Sequence, residues 1–108
     1  MAIAQDFTKC IETCVRCASE CRICAAKCSH MTDLPGMVDC DAVCAECAEA
    51  CDLTIDTMRV GSNVNCADCA RECERCAEEC EKYSHEFTLE CAHQCRECAV
   101  ECRRSVAP

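Results

Sequence analysis

The most regular feature of the chain is a stripe of apolar positions that runs from Cys10 to Cys28. Every apolar position in this stripe is a cysteine, and successive cysteines are separated alternately by four and by three residues. The mean spacing of about 3.5 residues is that of a heptad seam, in which one face of an α-helix packs against a partner helix. Charged residues such as Glu12 and Arg16 fall between the cysteines. The pattern therefore predicts an amphipathic helix whose buried face consists of thiols.

The same alternation recurs in three later segments, at residues 40–51, 66–80 and 91–102. We therefore expect four helices, whose approximate bounds are residues 6–31, 34–59, 63–83 and 86–104. Connections of only a few residues make sequential helices antiparallel neighbours. The sequence thus predicts an all-α protein, an antiparallel up-down-up-down four-helix bundle with a cysteine-lined core. We expect residues 1–108 to form a single four-helix-bundle domain.

Turn signals support these helix bounds. Asp33 is a candidate N-cap for the second helix, with Pro35 in the first turn, where its missing N–H costs nothing. Gly61 is a candidate C-terminal signal for the same helix. We expect Ser62 or Asn63 to cap the third helix.

Composition sets the cysteines apart from those of a disulfide scaffold. The chain has 19 cysteines in 108 residues, but only two glycines and two prolines, whereas disulfide-rich domains are rich in loops. An odd cysteine count leaves at least one thiol unpaired. The first residues lack the basic start and apolar run of a signal peptide, and no stretch reaches the roughly 20 apolar residues of a membrane span. We expect a cytoplasmic protein whose thiols are free or bound to metal.

The charge and the core composition narrow the function classes further. A formal net charge of −9 argues against nucleic-acid binding, which requires a basic surface. Only three aromatic residues are present, so cysteine and alanine must supply most of the core. A small domain with such a core is expected to need additional stabilisation, for which a bound metal ion is the natural candidate.

The spacing of the cysteines suits soft metal ions. Residues four apart on a helix have Cβ atoms roughly 5–6 Å apart, wider than the roughly 3.8 Å of a disulfide. Two such sulfurs can instead hold one ion in near-linear coordination, and pure thiolate surroundings with few ligands per ion favour Cu(I). One monovalent ion per thiolate would balance the charge at about 19 ions. The predicted metal ligands are Cys10, Cys14, Cys17, Cys21, Cys24, Cys28, Cys40, Cys44, Cys47, Cys51, Cys66, Cys69, Cys73, Cys76, Cys80, Cys91, Cys95, Cys98 and Cys102.

All but one of these ligands fall into nine CxxxC pairs. The pairs are 10/14, 17/21, 24/28, 40/44, 47/51, 69/73, 76/80, 91/95 and 98/102. Cys66 is left without a partner four residues away.

Two other functions use the same residues. Tetrahedral four-thiolate sites would make the protein a zinc or cadmium buffer of metallothionein type. A thiol redox sensor would need one or two exposed thiols of low pKa, which a uniform array does not suggest. No catalytic constellation of His, carboxylate and thiol stands apart from the repeat, so we do not expect an enzyme.

The two ends of the predicted bundle differ in chemistry. At one end the seam extends to Met31, Met37 and Tyr83, with His85 close by, and this end would suit the uptake of soft ions. Met31, Met37 and His85 are therefore candidate uptake or accessory ligands. His93 falls off the seam and is expected at the surface. The flanking residues at the other end are Ile3, Phe7, Ile55, Met58 and Val106, an apolar plug.

The repeated CxxxC pairs on four helices resemble the bacterial copper storage proteins, in particular their cytosolic branch. The similarity runs from Cys10 to Cys102. It implies a four-helix bundle that binds many Cu(I) ions inside on CxxxC thiolates, takes them up at one polar end and assembles as a homotetramer. The expected partners are thus copper ions, a copper donor or acceptor protein and further copies of the chain. Neither nucleic acid nor membrane is expected.

Overall fold

The computed structural model describes residues 6–31 and 37–106, which contain four α-helices. They are α1 (Thr8–Ser29), α2 (Met37–Arg59), α3 (Cys66–Cys80) and α4 (Glu86–Val106). The described residues contain no β-strand, and none of their helices is long and apolar enough to cross a membrane. The predicted all-α class is confirmed.

The helices form a closed ring in which each packs against its sequence neighbour and α4 returns to α1. Their directions are visible in the thiol contacts. Early in α1, Cys14 lies against Cys102 near the end of α4, and further along α1, Cys21 lies against Cys91. The two helices therefore run antiparallel. The contacts of α2 with α3 run in the same opposed sense, which confirms the predicted up-down-up-down bundle.

The core consists of cysteine, with alanine at the helix contacts. All 19 cysteines are buried, and so are six alanines, each of which directly follows a cysteine. Because a methyl side chain is small, these alanines let neighbouring helices approach closely. Two buried threonines donate their hydroxyls to nearby backbone carbonyls. Thr54 donates to Ala50 within α2 at 2.8 Å, and Thr88 donates to His85, the residue before α4, at 2.9 Å.

The turn after α2 is a Schellman motif centred on Gly61. The Gly61 N–H donates to the carbonyl of Met58 at 3.0 Å, and the Ser62 N–H donates to that of Thr57 at 2.9 Å. Gly61 has φ +85°, in the left-handed region that glycine adopts without steric cost. The prediction that Gly61 ends α2 is confirmed.

The predicted cap of α3 is wrong, because α3 begins at Cys66 and the residue before it makes no side-chain cap. The Ser62 side chain instead accepts the N–H of Val64 at 3.2 Å, within the turn. The Asn63 amide donates across the bundle to the carbonyl of Ser105 at 2.9 Å. These side chains are used to connect α3 to the preceding turn and to the end of α4.

The remaining helix bounds differ from the predicted ones by a few residues. α1 begins at Thr8, whose N–H is accepted by the Asp6 carboxylate at 2.9 Å. α3 ends at Cys80 because the next residues tighten into i→i+3 bonds, such as that from the Tyr83 N–H to the carbonyl of Cys80 at 3.3 Å. α4 continues to Val106. The predicted Asp33 cap and Pro35 lie outside the described residues.

Candidate metal centre

The structure places every predicted thiol ligand in the interior of the bundle. All 19 cysteines are free thiols, and none has more than 3% of its surface exposed. Each helix contributes its thiols from the seam that the four-three alternation defines, because that alternation keeps one face of the helix turned to the core. The result is a continuous interior of sulfur.

Within the helices, the CxxxC spacing brings sulfurs into contact. The Sγ atoms lie 4.0 Å apart in four of the nine pairs, namely 17/21, 24/28, 69/73 and 98/102. The two sulfurs of each of these pairs therefore point toward each other, as a shared ion requires. In these four pairs the sulfurs are close enough for one ion to bind to both thiolates after small movements of the side chains.

The shortest sulfur contacts lie between helices. The Sγ–Sγ distance is 3.6 Å for three pairs, each drawn from two helices: Cys14–Cys98, Cys21–Cys95 and Cys44–Cys80. Thiols of the diagonal helices α1 and α3 also meet, with 3.9 Å between the sulfurs of Cys17 and Cys73. A ligand set built only from CxxxC pairs is thus incomplete. The partners on other helices depend on the register between helices, which the spacing along one helix does not contain.

These contacts combine into groups of four sulfurs. In five groups all four Sγ atoms lie within 4.8 Å of one another, and Cys17, Cys21, Cys91, Cys95 and Cys98 each belong to two of them. Three bonds of about 2.3 Å, the length of a zinc–thiolate bond, separate the ligand sulfurs by about 4.0 Å, close to the distances in this core. Because the groups overlap, the sulfurs can form one lattice in which a thiolate bridges neighbouring ions.

Burial raises the pKa of a thiol near each end of the array. Burial and, to a lesser extent, repulsion by the neighbouring Cys10 and Cys69 together raise the pKa of Cys66 to about 12. Burial likewise raises the pKa of Cys28. These thiols stay protonated near pH 7, so an ion that binds to either of them must displace a proton.

The stability of the metal-free protein should fall in alkaline solution. An ordinary thiol has a pKa of 9.0, whereas burial raises the pKa of Cys66 in the folded protein to about 12. Below pH 9 both states are protonated and stability is unaffected, but above it the unfolded chain loses protons first and is favoured. We expect the urea midpoint of reduced, metal-free protein to be lower at about pH 10 than at about pH 7. An equal or higher midpoint at the alkaline pH would contradict the raised pKa of these thiols.

One end of the bundle, which we term the mouth end, contains Met31, Met37, Tyr83 and His85. Met37 is buried with only 1% of its surface exposed, and Met31 is half-buried against the core. The half-buried His85 ring stacks on Phe87, with 5.5 Å between centroids. The Tyr83 hydroxyl donates to the Glu79 carboxylate at 3.0 Å. The structure therefore brings the three candidate accessory ligands to one end of the thiol array.

The opposite end, which we term the plug end, is closed by Phe7, Ile55 and Met58, each at most 6% exposed. The prediction that Val106 joins this plug is wrong, because its side chain is 43% exposed. The step that follows Cys102 in the alternation is three residues, so the buried position is Ser105. Ile3 lies outside the described residues.

His93 is exposed, as predicted, and its Nε2 lies 3.0 Å from the Glu97 carboxylate on the next turn. It therefore takes no part in the thiol array.

Comparison with known proteins was made on sequence and on structure. A family model described as "Copper storage protein" matches residues 3–107. The Cu(I)-bound copper storage protein BsCsp3 superposes with a TM-score of 0.90 at 35% identity, over 95% of this chain and 100% of that one. The apo form of copper storage protein 3 from Bacillus subtilis superposes with a TM-score of 0.85 at 36% identity, over 94% and 100%. Comparison with curated proteins gave no significant match.

Proposed function

Because this chain belongs to the copper storage protein family, we propose that it binds many Cu(I) ions on the thiolates inside its four-helix bundle and thereby stores and detoxifies copper. The observation that carries this proposal is the sulfur array, in which contacts of 3.6–4.0 Å connect thiols of all four helices. Soft, monovalent Cu(I) matches ligands that are all thiolates. One positive charge per thiolate also leaves the buried core neutral.

We assign all 19 cysteines as copper ligands, on the CxxxC pairs and on the contacts between helices. Cys66 is fully buried at the start of α3, on the side of the plug end, where Cys10 and Cys69 are its neighbours. Cys66 can coordinate a copper ion together with these neighbours, even though it has no cysteine partner four residues away. In this proposal residues 1–108 act as one metal-storage domain.

Copper would reach the array through the mouth end. The thioethers of Met31 and Met37 and the imidazole of His85 are soft or borderline donors that lie where the thiol seams of the helices end. The plug end offers Phe7, Ile55 and Met58 instead, whose apolar surfaces close the core. Uptake at the mouth end therefore follows from the difference in chemistry between the two ends.

The setting of the protein is part of the proposal. We place it in the cytoplasm, because so many free thiols persist only in a reducing compartment. We expect it to act as a store, not as an enzyme. A homotetramer would cover apolar side chains on the outer faces of the helices, such as Ile23, Leu53 and Val100, which are 48–57% exposed.

An anaerobic titration of the reduced protein with Cu(I), against a competing chelator, tests this function. We expect binding to continue toward one ion per cysteine, about 19 in all, with up to one proton released per thiolate that forms. Saturation at four or five ions would contradict the store and indicate separate tetrahedral sites. Absence of proton release would contradict thiolate coordination. Disulfide formation with a large change of shape, in place of copper uptake, would indicate a redox sensor.

A further inference from the structure

We propose that the metal-free thiol array also binds divalent thiophilic cations of the Zn²⁺ type, at three separate four-thiolate groups. This inference concerns an ion of different charge and coordination from stored Cu(I), so it stands apart from the proposed function. Its starting point is the geometry of the four-sulfur groups, five of which have all their Sγ atoms within 4.8 Å of one another.

Three of these five groups share no cysteine. The mouth group consists of Cys24, Cys44, Cys80 and Cys91. The central group consists of Cys17, Cys21, Cys47 and Cys95. The plug group consists of Cys14, Cys69, Cys98 and Cys102. The groups follow one another along the bundle, so three ions can bind without a shared ligand.

The sulfur separations suit tetrahedral coordination. Four bonds of about 2.3 Å to zinc place the ligand sulfurs about 3.8 Å apart. In the mouth group, Cys80 Sγ lies 3.6 Å from Cys44 Sγ and 4.0 Å from Cys24 Sγ. In the plug group, Cys14 Sγ lies 3.6 Å from Cys98 Sγ. The sulfurs therefore need only small adjustments to surround an ion.

Thiols outside the groups can offset the charge of each site. A divalent ion with four thiolates has a net charge of −2, which is costly in a dry core unless hydrogen bonds stabilise it. Three groups of four leave seven of the 19 cysteines protonated and able to donate S–H bonds. Cys76 lies 3.7 Å from Cys44 of the mouth group, and Cys10 lies 3.8 Å from Cys102 of the plug group.

The central group has such a donor as well. The Sγ of Cys73 lies 3.7 Å from that of Cys47 and 3.9 Å from that of Cys17. A protonated Cys73 can therefore donate to the Cys17 thiolate of this group. All three sites thus combine four ligand sulfurs with at least one neighbouring thiol donor.

The mouth group differs from the others because each helix contributes one ligand to it. Cys24 lies on α1, Cys44 on α2, Cys80 on α3 and Cys91 on α4. An ion at this group connects all four helices at once. Of the three groups it lies nearest the mouth end, so it is the one of the three that an ion arriving from that end meets first.

The experiment is an anaerobic titration of reduced, metal-free protein with Zn²⁺ against a chromogenic chelator. We expect three tightly bound ions per chain, and Co²⁺ used in place of Zn²⁺ should give the visible absorption of tetrahedral thiolate coordination. Cys80→Ala removes a ligand of the mouth group and should lower the stoichiometry from three to two. Cys66→Ala removes an equally buried thiol that lies outside the three groups, and should leave it at three.

Several results would overturn the inference. They are no Zn²⁺ bound in competition with the chelator, four or more Zn²⁺ ions per chain, or the same decrease in zinc stoichiometry in Cys80→Ala and Cys66→Ala. Helix content measured by circular dichroism checks that each variant is folded, and Cys80→Ser replaces Cys80→Ala if the latter is not. A parallel Cu(I) titration of the same protein separates the two proposals. Full Cu(I) loading without zinc binding removes this inference alone, whereas three zinc ions without Cu(I) loading removes the copper store alone.

Discussion

Loading the reduced protein with Cu(I) is expected to raise its unfolding temperature by tens of degrees. A ligand that binds only the folded state stabilises it by about 4 kcal/mol per site when its free concentration is about 1,000 times its dissociation constant. This core has 19 thiols from four helices, and ions shared between helices oppose their separation. For a chain of about this size, each kcal/mol shifts the midpoint by roughly 4–8 °C. A few ions shared between helices are therefore sufficient to raise the unfolding temperature by tens of degrees.

Thermal unfolding followed by circular dichroism, at increasing ratios of Cu(I) to protein, measures this effect. The midpoint should rise with each addition until the thiols are filled. Removal of the copper with excess chelator should return the midpoint to that of the metal-free protein. Full copper binding with an unchanged midpoint would contradict the prediction, because it would mean that the unfolded chain binds copper equally well.

The fold could be predicted from the sequence because one signal repeats four times. The alternation of cysteine spacings defines a helical face without ambiguity, and the connections are too short for any order but that of antiparallel neighbours. Gly61 marked the end of α2 because only glycine adopts its φ of +85° at little cost. Where the cue was a capping side chain, as for Ser62 and Asn63, prediction failed because each side chain found a different partner in the folded chain.

The candidate site could be predicted as a set of residues but not as a set of contacts. The seams determine which thiols are buried, and the structure places all of them inside. Which thiols meet depends on how far one helix is shifted along another, and a period along one helix contains no such information. The contact of Cys21 with Cys95, at 3.6 Å, follows only from the packing of α1 on α4. The same limitation applies to the three separate four-sulfur groups.

A core of small thiols leaves few large apolar side chains to stabilise the metal-free bundle. Cysteine and alanine bury little area per residue, so the free energy of folding before metal binds depends on a few larger residues at the two ends. Phe7 is the only buried aromatic side chain among the described residues. The free energy of unfolding of the metal-free protein is therefore expected to depend strongly on the large side chains of the plug end, although the 19 buried cysteines make up most of the core.

Phe7→Ala is accordingly expected to unfold much of the metal-free protein at 37 °C, and Cu(I) is expected to restore the fold. Removal of a buried phenylalanine costs about 3–5 kcal/mol, against a total stability of roughly 5–15 kcal/mol for a typical domain. Phe7 is 5% exposed, and its carbonyl accepts the N–H of Ile11 at 2.8 Å. Urea denaturation followed by circular dichroism, with and without Cu(I), measures both the destabilisation by the substitution and its reversal by copper. Restoration is expected because the thiols of the array are unchanged in this variant.

Phe87→Ala is the matched control at the mouth end. Phe87 is half-buried, stacks on His85, and has the Lys27 ammonium 5.5 Å from its ring centroid. Because solvent already reaches this ring, its removal should cost only about 1 kcal/mol. An equal decrease in the free energy of unfolding of Phe7→Ala and Phe87→Ala would contradict the expected dependence of stability on the plug end. If Phe7→Ala binds Cu(I) but stays unfolded, contacts between helices do not govern copper binding, and the stabilisation expected on loading would fail with it.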